Sequence, residues 1–136
     1  MSDTNRQLAQ RWFEEVWNTR NAKVVDELLS QDSVGHMEGG DVRGRTEFHA
    51  VRNTLLDAFP DLRITVADTV AEADQVVVRW RVSATHKGAG LGFAATDRPV
   101  QFRGLTWLRF SNGLIVEGWD SWNEGALLQS LKAAAP

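Results

Sequence analysis

Between Thr4 and Asn18 apolar residues recur at steps of three and four, with Leu8, Trp12 and Val16 on one line and Phe13 and Trp17 beside it. That spacing predicts an amphipathic helix over 4–18, with Asp3 or Thr4 placed to cap it. Asn18-Thr-Arg-Asn21 interrupts the pattern, and Val24, Val25, Leu28 and Leu29 resume it for about two turns. A second short helix therefore packs against the first as a helical hairpin. Ser33 to Glu38, with His36 and Met37, reads as a short extended piece, and the glycines of Gly39-Gly40-Asp41-Val42-Arg43-Gly44 read as a loop. Thr46 is placed to cap a third helix through Phe48, Val51, Leu55, Leu56 and Phe59. Pro60 ends it, because the residue before a proline is pushed out of the helical region.

From Leu62 onward the period changes to two. Leu62, Ile64 and Val66 alternate with Arg63, Thr65 and Ala67, and a polar turn at Ala73-Asp74-Gln75 leads into a β-branched and aromatic strand over Val76–His86. A Gly- and Ala-rich excursion, Lys87 to Asp97, precedes a strand over Val100–Phe110. Asn112-Gly113 is a tight-hairpin signal, and Leu114 to Trp122 returns beside its neighbour. Leu127, Leu128 and Leu131 mark a short last helix over 124–132 before a frayed Ala-Ala-Ala-Pro end. Helices followed by hairpin-linked strands predict an α+β domain with a curved, mostly antiparallel sheet of four or five long strands. The helices gather on one face, and a sheet that curls around them makes a cone.

The alternation also separates inside from outside. Val100, Phe102, Gly104, Thr106, Leu108 and Phe110 share one parity, and Arg103 and Arg109 mark the other as outer. Arg79, Arg81, Ser83 and Thr85 are outer on the preceding strand, leaving Val76, Val78, Trp80, Val82, Ala84 and His86 inside. On Leu114–Trp122, Glu117 and Ser121 identify Ile115, Glu117, Trp119 and Ser121 as outer. Asp120 then points inward, two residues from Trp122. A carboxyl group on an otherwise apolar face is desolvated, which raises its pKa toward the range useful for proton transfer; hydrogen bonding at the sheet rim is the plainer alternative. The outer positions Leu105, Trp107, Ile115 and Trp119 form an apolar patch of the kind that buries against another subunit, so a homodimer through this face is expected.

Composition narrows the chemistry. One domain over 1–136 is expected from the length. A net charge of −3 gives no basic excess, so neither nucleic acid nor an anionic membrane is an expected partner. Zero cysteines exclude disulfides, thiolate metal clusters and thiol nucleophiles. No signal-peptide-like start and no run approaching the roughly 20 apolar residues of a membrane span is present, so a cytoplasmic location is expected. Six Trp and six Phe without any Tyr suggest either a core of large plates or a roomy apolar pocket. Inward parity and helix stripes nominate Trp12, Val16, Met37, Phe59, Trp80, Phe102, Thr106, Leu108 and Trp122 as walls of a pocket for a planar hydrophobic ligand, with Phe13 also available.

The ordered segments "WFEEVWNTRN", "FPDLRITVADTVAEADQVVVRWRVSATHKG" and "GLTWLRFSNGLIVEGWDSWN" resemble the SnoaL-like polyketide cyclases, or ester cyclases, of the nuclear-transport-factor-2-like superfamily. The resemblance runs from about Asn5 to Leu131 and implies a conical, cystatin-like α+β barrel. It also implies cofactor-free chemistry, in which an aspartate abstracts a proton from an activated carbon of a polyketide-type ester and the enolate closes a ring by aldol condensation. Asp120 in Trp-Asp-Ser-Trp matches that aspartate. His36 and His86 are candidates for the partner acid or oxyanion donor, whereas His49 looks solvent-facing. The histidine of the family pattern falls near Thr106, where this chain has no imidazole.

Other constellations fail. Gly88-x-Gly90-x-Gly92 lacks the context of a dinucleotide fingerprint, and the three histidines share no metal-ligand spacing. Neither a metal nor a cofactor is expected. The Lys87–Asp97 loop reads either as a flap over the mouth of the cone or as an ordinary surface loop. Against the cyclase stand a non-catalytic binder of hydrophobic small molecules and an isomerase or epoxide hydrolase on the same fold. Isomerase chemistry wants a Tyr donor, and epoxide hydrolysis wants an inward arginine; this chain has no Tyr, and its sheet arginines take outer parity.

Overall fold

The structure, a computed structural model, describes residues 2–134. Helix α1 (Ser2–Trp12) runs on through a widened π-helical turn over Phe13–Asn18. The next elements are α2 (Ala22–Leu28), β1 (Leu29–Met37), β2 (Gly40–Arg43) and α3 (Gly44–Ala58). They are followed by β3 (Arg63–Glu72), β4 (Gln75–Thr85), β5 (Pro99–Ser111), β6 (Leu114–Trp122) and α4 (Glu124–Ala134). The six strands form one sheet in the order β2-β1-β6-β5-β4-β3, in which β1 and β6 run parallel and the other neighbours antiparallel. The end strands β2 and β3 are not paired with each other, so the sheet curls around the helices without closing.

The fold is the α+β arrangement expected, with four local differences. Leu29 begins a strand instead of ending a helix, and the expected Gly39–Gly44 loop contains β2. The cap of α3 comes from inside the helix: the Glu47 carboxylate accepts the Arg43 backbone N–H at 2.7 Å, and Thr46 plays no part. Helix α4 continues through Ala134; the rest of the expected frayed end, 135–136, lies outside the described residues.

Two side chains reconcile the widened turn with its surroundings. Asn18 acts as a piece of strand, its amide donating to Ile64 O and accepting from Ile64 N–H, both at 2.8 Å. Arg52, buried on α3, donates Nε–H to Val16 O at 3.0 Å and so satisfies a carbonyl of the π-helical turn. Behind this turn Val16, Val24, Val25, Phe59, Val76 and Val78 make a solvent-free core.

The Lys87–Asp97 loop is seated on the end of α3. Lys87 and Gly88 donate their N–H groups to Ala58 O at 3.0 and 3.2 Å. A Cβ on Gly88 would lie 1.9 Å from Asp57 O, so no other residue type fits that approach. The loop thus caps a helix and does not line the cavity described next.

Candidate active site

The β5–β6 ladder places Thr106 directly opposite Asp120, and β4 lays Trp80 beside them against Gly104. The Trp80 indole N–H donates to Thr106 Oγ1 at 2.9 Å, and the Thr106 hydroxyl donates to Asp120 Oδ1 at 2.7 Å. Directions follow from chemistry: an indole can only donate, so the hydroxyl accepts from it and passes its own proton to the carboxylate. Oδ1 is thereby held as an acceptor, which leaves Oδ2 to gain or lose the exchangeable proton.

Desolvation pushes the Asp120 carboxyl up to about 6. The Thr106 hydrogen bond pulls in the opposite direction, and the negative charge of Glu38 adds to the rise.

Asp120 borders a cavity of about 120 Å³ between the helices and the concave face of the sheet. Most of its wall is aromatic. Phe102 and Trp122 stack at 4.8 Å with an interplanar angle of 21°, and Trp80 meets each of them edge-on at 6.2 Å. Gly104 makes this possible: a Cβ there would lie 2.7 Å from both Trp80 Cζ2 and Trp122 Cβ.

Of the predicted wall residues, Trp12, Met37, Trp80, Phe102, Thr106, Leu108 and Trp122 line this cavity together with Asp120. Val16 and Phe59 do not; both are fully buried in the core behind it. Ser33, Trp17, Phe48, Ile64 and Ile115 line it without having been nominated. Ser33 shares strand parity with Met37, and that signal was available in the alternation.

Neither candidate histidine hydrogen-bonds to Asp120. His36 borders the cavity, but its ring nitrogens lie 3.0 Å from Asp41 Oδ1 and 2.8 Å from Glu117 Oε2, and the ring stacks on Trp119 at 5.5 Å. Carboxylates only accept, so both nitrogens carry protons and His36 is an imidazolium. Its pKa is raised by Glu117 first and Asp41 second, while Glu117 is lowered by His36 and then by Arg109. This cluster ties β2, β1, β6 and β5 together on the convex face.

His86 is fully buried between Phe59 and Phe93, with ring centroids at 5.8 and 5.2 Å. Its Nδ1 accepts from the Thr96 backbone N–H at 3.2 Å, which assigns the proton to Nε2. His86 does not line the cavity. His49 reaches Asp26 at 3.1 Å at the surface.

Ile115 corrects the strand parity. Arg109 pairs with Glu117 and Phe110 with Ile115, so Val116 is an extra residue that bulges and turns Ile115 inward, to 3% exposure. Ile115 therefore leaves the outer patch, while Leu105, Trp107 and Trp119 stay exposed at 46, 48 and 39%. Among the described residues, no group of three or more His, Asp or Glu side chains is arranged to hold a metal ion.

An inward carboxyl group facing an aromatic cavity on a curled α+β sheet sets the comparison with known proteins. The profile of the SnoaL-like polyketide cyclase family matches residues 7–131. The chain belongs to that family. Among solved structures, this SnoaL-like chain is similar to a proposed SnoaL-like polyketide cyclase from Jannaschia Sp. CCS1, with a TM-score of 0.90 and 22% identity over 99% of this chain and 94% of that one. It is similar at 30% identity to AclR, a proposed hydroxylase from Streptomyces galilaeus, with a TM-score of 0.86 over 98% and 83% of the two chains. IdmH, a proposed polyketide cyclase from Streptomyces antibioticus, gives a TM-score of 0.81 at 26% identity, covering 94% of this chain and 98% of that one. No curated protein matches. No helix among the described residues is long and apolar enough to cross a membrane.

Proposed function

We propose that this SnoaL-like chain is an enzyme that closes a ring in a hydrophobic polyketide-type carbonyl or ester substrate, with Asp120 as general base and then general acid. The observation that carries this reading is the Asp120 carboxyl group itself: desolvated to about 6, tied at Oδ1 by Thr106, and bordering an aromatic cavity. Asp120 Oδ2 takes the proton from a carbon lying between two carbonyls, and the C–H electron pair moves into the enolate. The nucleophilic carbon attacks a second carbonyl of the same molecule, a C–C bond forms, and the new alkoxide takes back the proton from Asp120. Atoms balance without a co-reactant, so product and substrate have equal mass. Ser33, buried on the cavity wall, is the donor we assign to the developing oxyanion.

Exchange of the activated C–H into D₂O tests the first half-reaction, using a series of β-ketoesters from one to four fused rings. Asp120→Asn is expected to lower enzyme-accelerated exchange by about two to four orders of magnitude while the fold persists. Unchanged exchange would remove Asp120 from the chemistry, and binding without exchange by the native protein would favour a non-catalytic carrier. The similarity to AclR favours hydroxylation as the second reading, a step that consumes dioxygen and a two-electron reductant and releases water; its mark is a product heavier than the substrate by one oxygen atom.

A further inference from the structure

We propose that the part of the substrate buried beside Asp120 is a single ring, and that Trp80, Phe102 and Trp122 set this limit. The inference rests on Asp120 being the base, and it deepens that reading by naming a substrate class: a monocyclic β-dicarbonyl or β-ketoester, in place of a fused polycycle.

The first argument is volume. The cavity measures about 120 Å³. An apolar hole of roughly 150 Å³ accommodates benzene, and sites that engulf drug-sized molecules run to about 300 Å³ or more. A single six-membered ring already takes up this space, with the rest of the molecule left toward the open side, and a second fused ring exceeds it.

The second argument is that the limiting wall cannot easily withdraw. Trp80, Phe102 and Trp122 stand on three adjacent strands and pack on one another at 6.2, 6.2 and 4.8 Å. Gly104 lets the two indoles meet with no slack, since even a methyl group there would collide with both. Trp80 is further anchored through its N–H to Thr106, the residue that holds Asp120. Turning Trp80 aside to admit a larger body would break the hydrogen bond that orients the base, so the size limit and the catalytic geometry share one side chain.

Polarity points the same way. Asp120, Thr106, Ser33 and His36, whose ring nitrogens are already engaged by Asp41 and Glu117, interrupt an otherwise aromatic and aliphatic lining. A polyoxygenated fused skeleton would bury further oxygens without partners, at a cost of several kcal/mol each in an apolar surrounding.

The test compares ethyl benzoylacetate with its 2-naphthyl and 2-anthracenyl analogues. Binding is read from the indole N–H resonances of the ¹⁵N-labelled full chain, and chemistry from deuterium exchange at the activated carbon. The expected result is at least about tenfold tighter binding of the phenyl compound than of the anthracenyl one, with Trp122→Ala narrowing or reversing that ratio. Phe102→Leu serves the same purpose should Trp122→Ala fail to fold by circular dichroism. Equal or tighter binding of the anthracenyl compound by the native chain, no shift of any indole resonance with any of the three, or an unmoved ratio in a folded variant would each overturn the inference. A preserved ring-size ranking with no accelerated exchange would instead refute Asp120 as base and leave the size limit standing.

Discussion

Desolvation raises the Asp120 carboxyl, and Thr106 limits how far. Its hydroxyl stabilises the ionised carboxylate against the desolvation that raises it. Thr106→Val removes that donor, so the pH midpoint of enzyme-accelerated exchange is expected to move above its native position near 6, whereas Thr106→Ser restores it. A midpoint unchanged in Thr106→Val would disconnect the hydroxyl from the base. Stability carries the same signature with a definite sign. The native state holds the Asp120 proton more tightly than an unfolded chain does, from the ordinary 3.8 up to about 6. The contribution of Asp120 to folding stability is therefore greatest below that window and falls as pH rises through it, by up to about 3 kcal/mol. Urea denaturation of the native chain and Asp120→Asn from pH 4 to 7 checks this: the difference between the two should change across that window and level off above it. Asp120 itself was legible in the strand alternation. The partners of the two nominated histidines, Asp41 and Glu117 for His36 and Thr96 for His86, were not legible there, because each comes from another part of the chain and alternation along a strand says nothing about them.

Among the elements, the hairpin of β1 and β2 supplies a cavity wall through Ser33, Met37 and Val42, and it joins the rest of the sheet through the parallel β1–β6 pairing. The bond between His36 and Glu117 crosses that pairing on the convex side. Because the folded state raises the His36 pKa, this contribution is present below the ordinary value of 6.5 and is lost as pH climbs through the raised one. Amide hydrogen exchange at Val34, Gly35 and His36, corrected for the intrinsic rate, should quicken above that pH, and His36→Asn should quicken it below that pH and match the native chain above it; equal protection in both proteins below that pH would count against the latch. The helices and long strands were readable because each carries its period over most of its length. The register was not, because the bulge at Val116 leaves no mark in composition, and one extra residue is enough to bring Ile115 to the inside. β2 escaped for a different reason: its Gly, Asp and Arg residues suit a turn, and only pairing with Val34–Met37 makes it a strand.

For the whole molecule, the exposed patch retains Leu105, Trp107 and Trp119, with Trp107 and Trp119 opposite each other in the ladder and Arg79, Arg81 and Arg103 around them. We propose that a second copy covers it, since arginines beside indole plates are self-complementary when guanidinium groups of one copy lie over rings of the other. Sedimentation equilibrium is expected to give a dimer that Trp107→Glu with Leu105→Glu converts to monomer; a monomeric native chain would refute the pairing. The family was legible because its elements occur in order along almost the entire chain. The cavity's true size was hidden, since six Trp and six Phe can equally well line a hollow or fill it, and three of those rings on neighbouring strands do the filling. Their crowding gives the molecule an optical property. With indole centroids 6.2 Å apart and planes crossed at 65°, the transition dipoles of Trp80 and Trp122 couple, so the far-ultraviolet dichroism contains an exciton couplet whose amplitude follows the angle between the two rings, and the unlabelled chain carries its own gauge of whether that wall holds still when the cavity is filled.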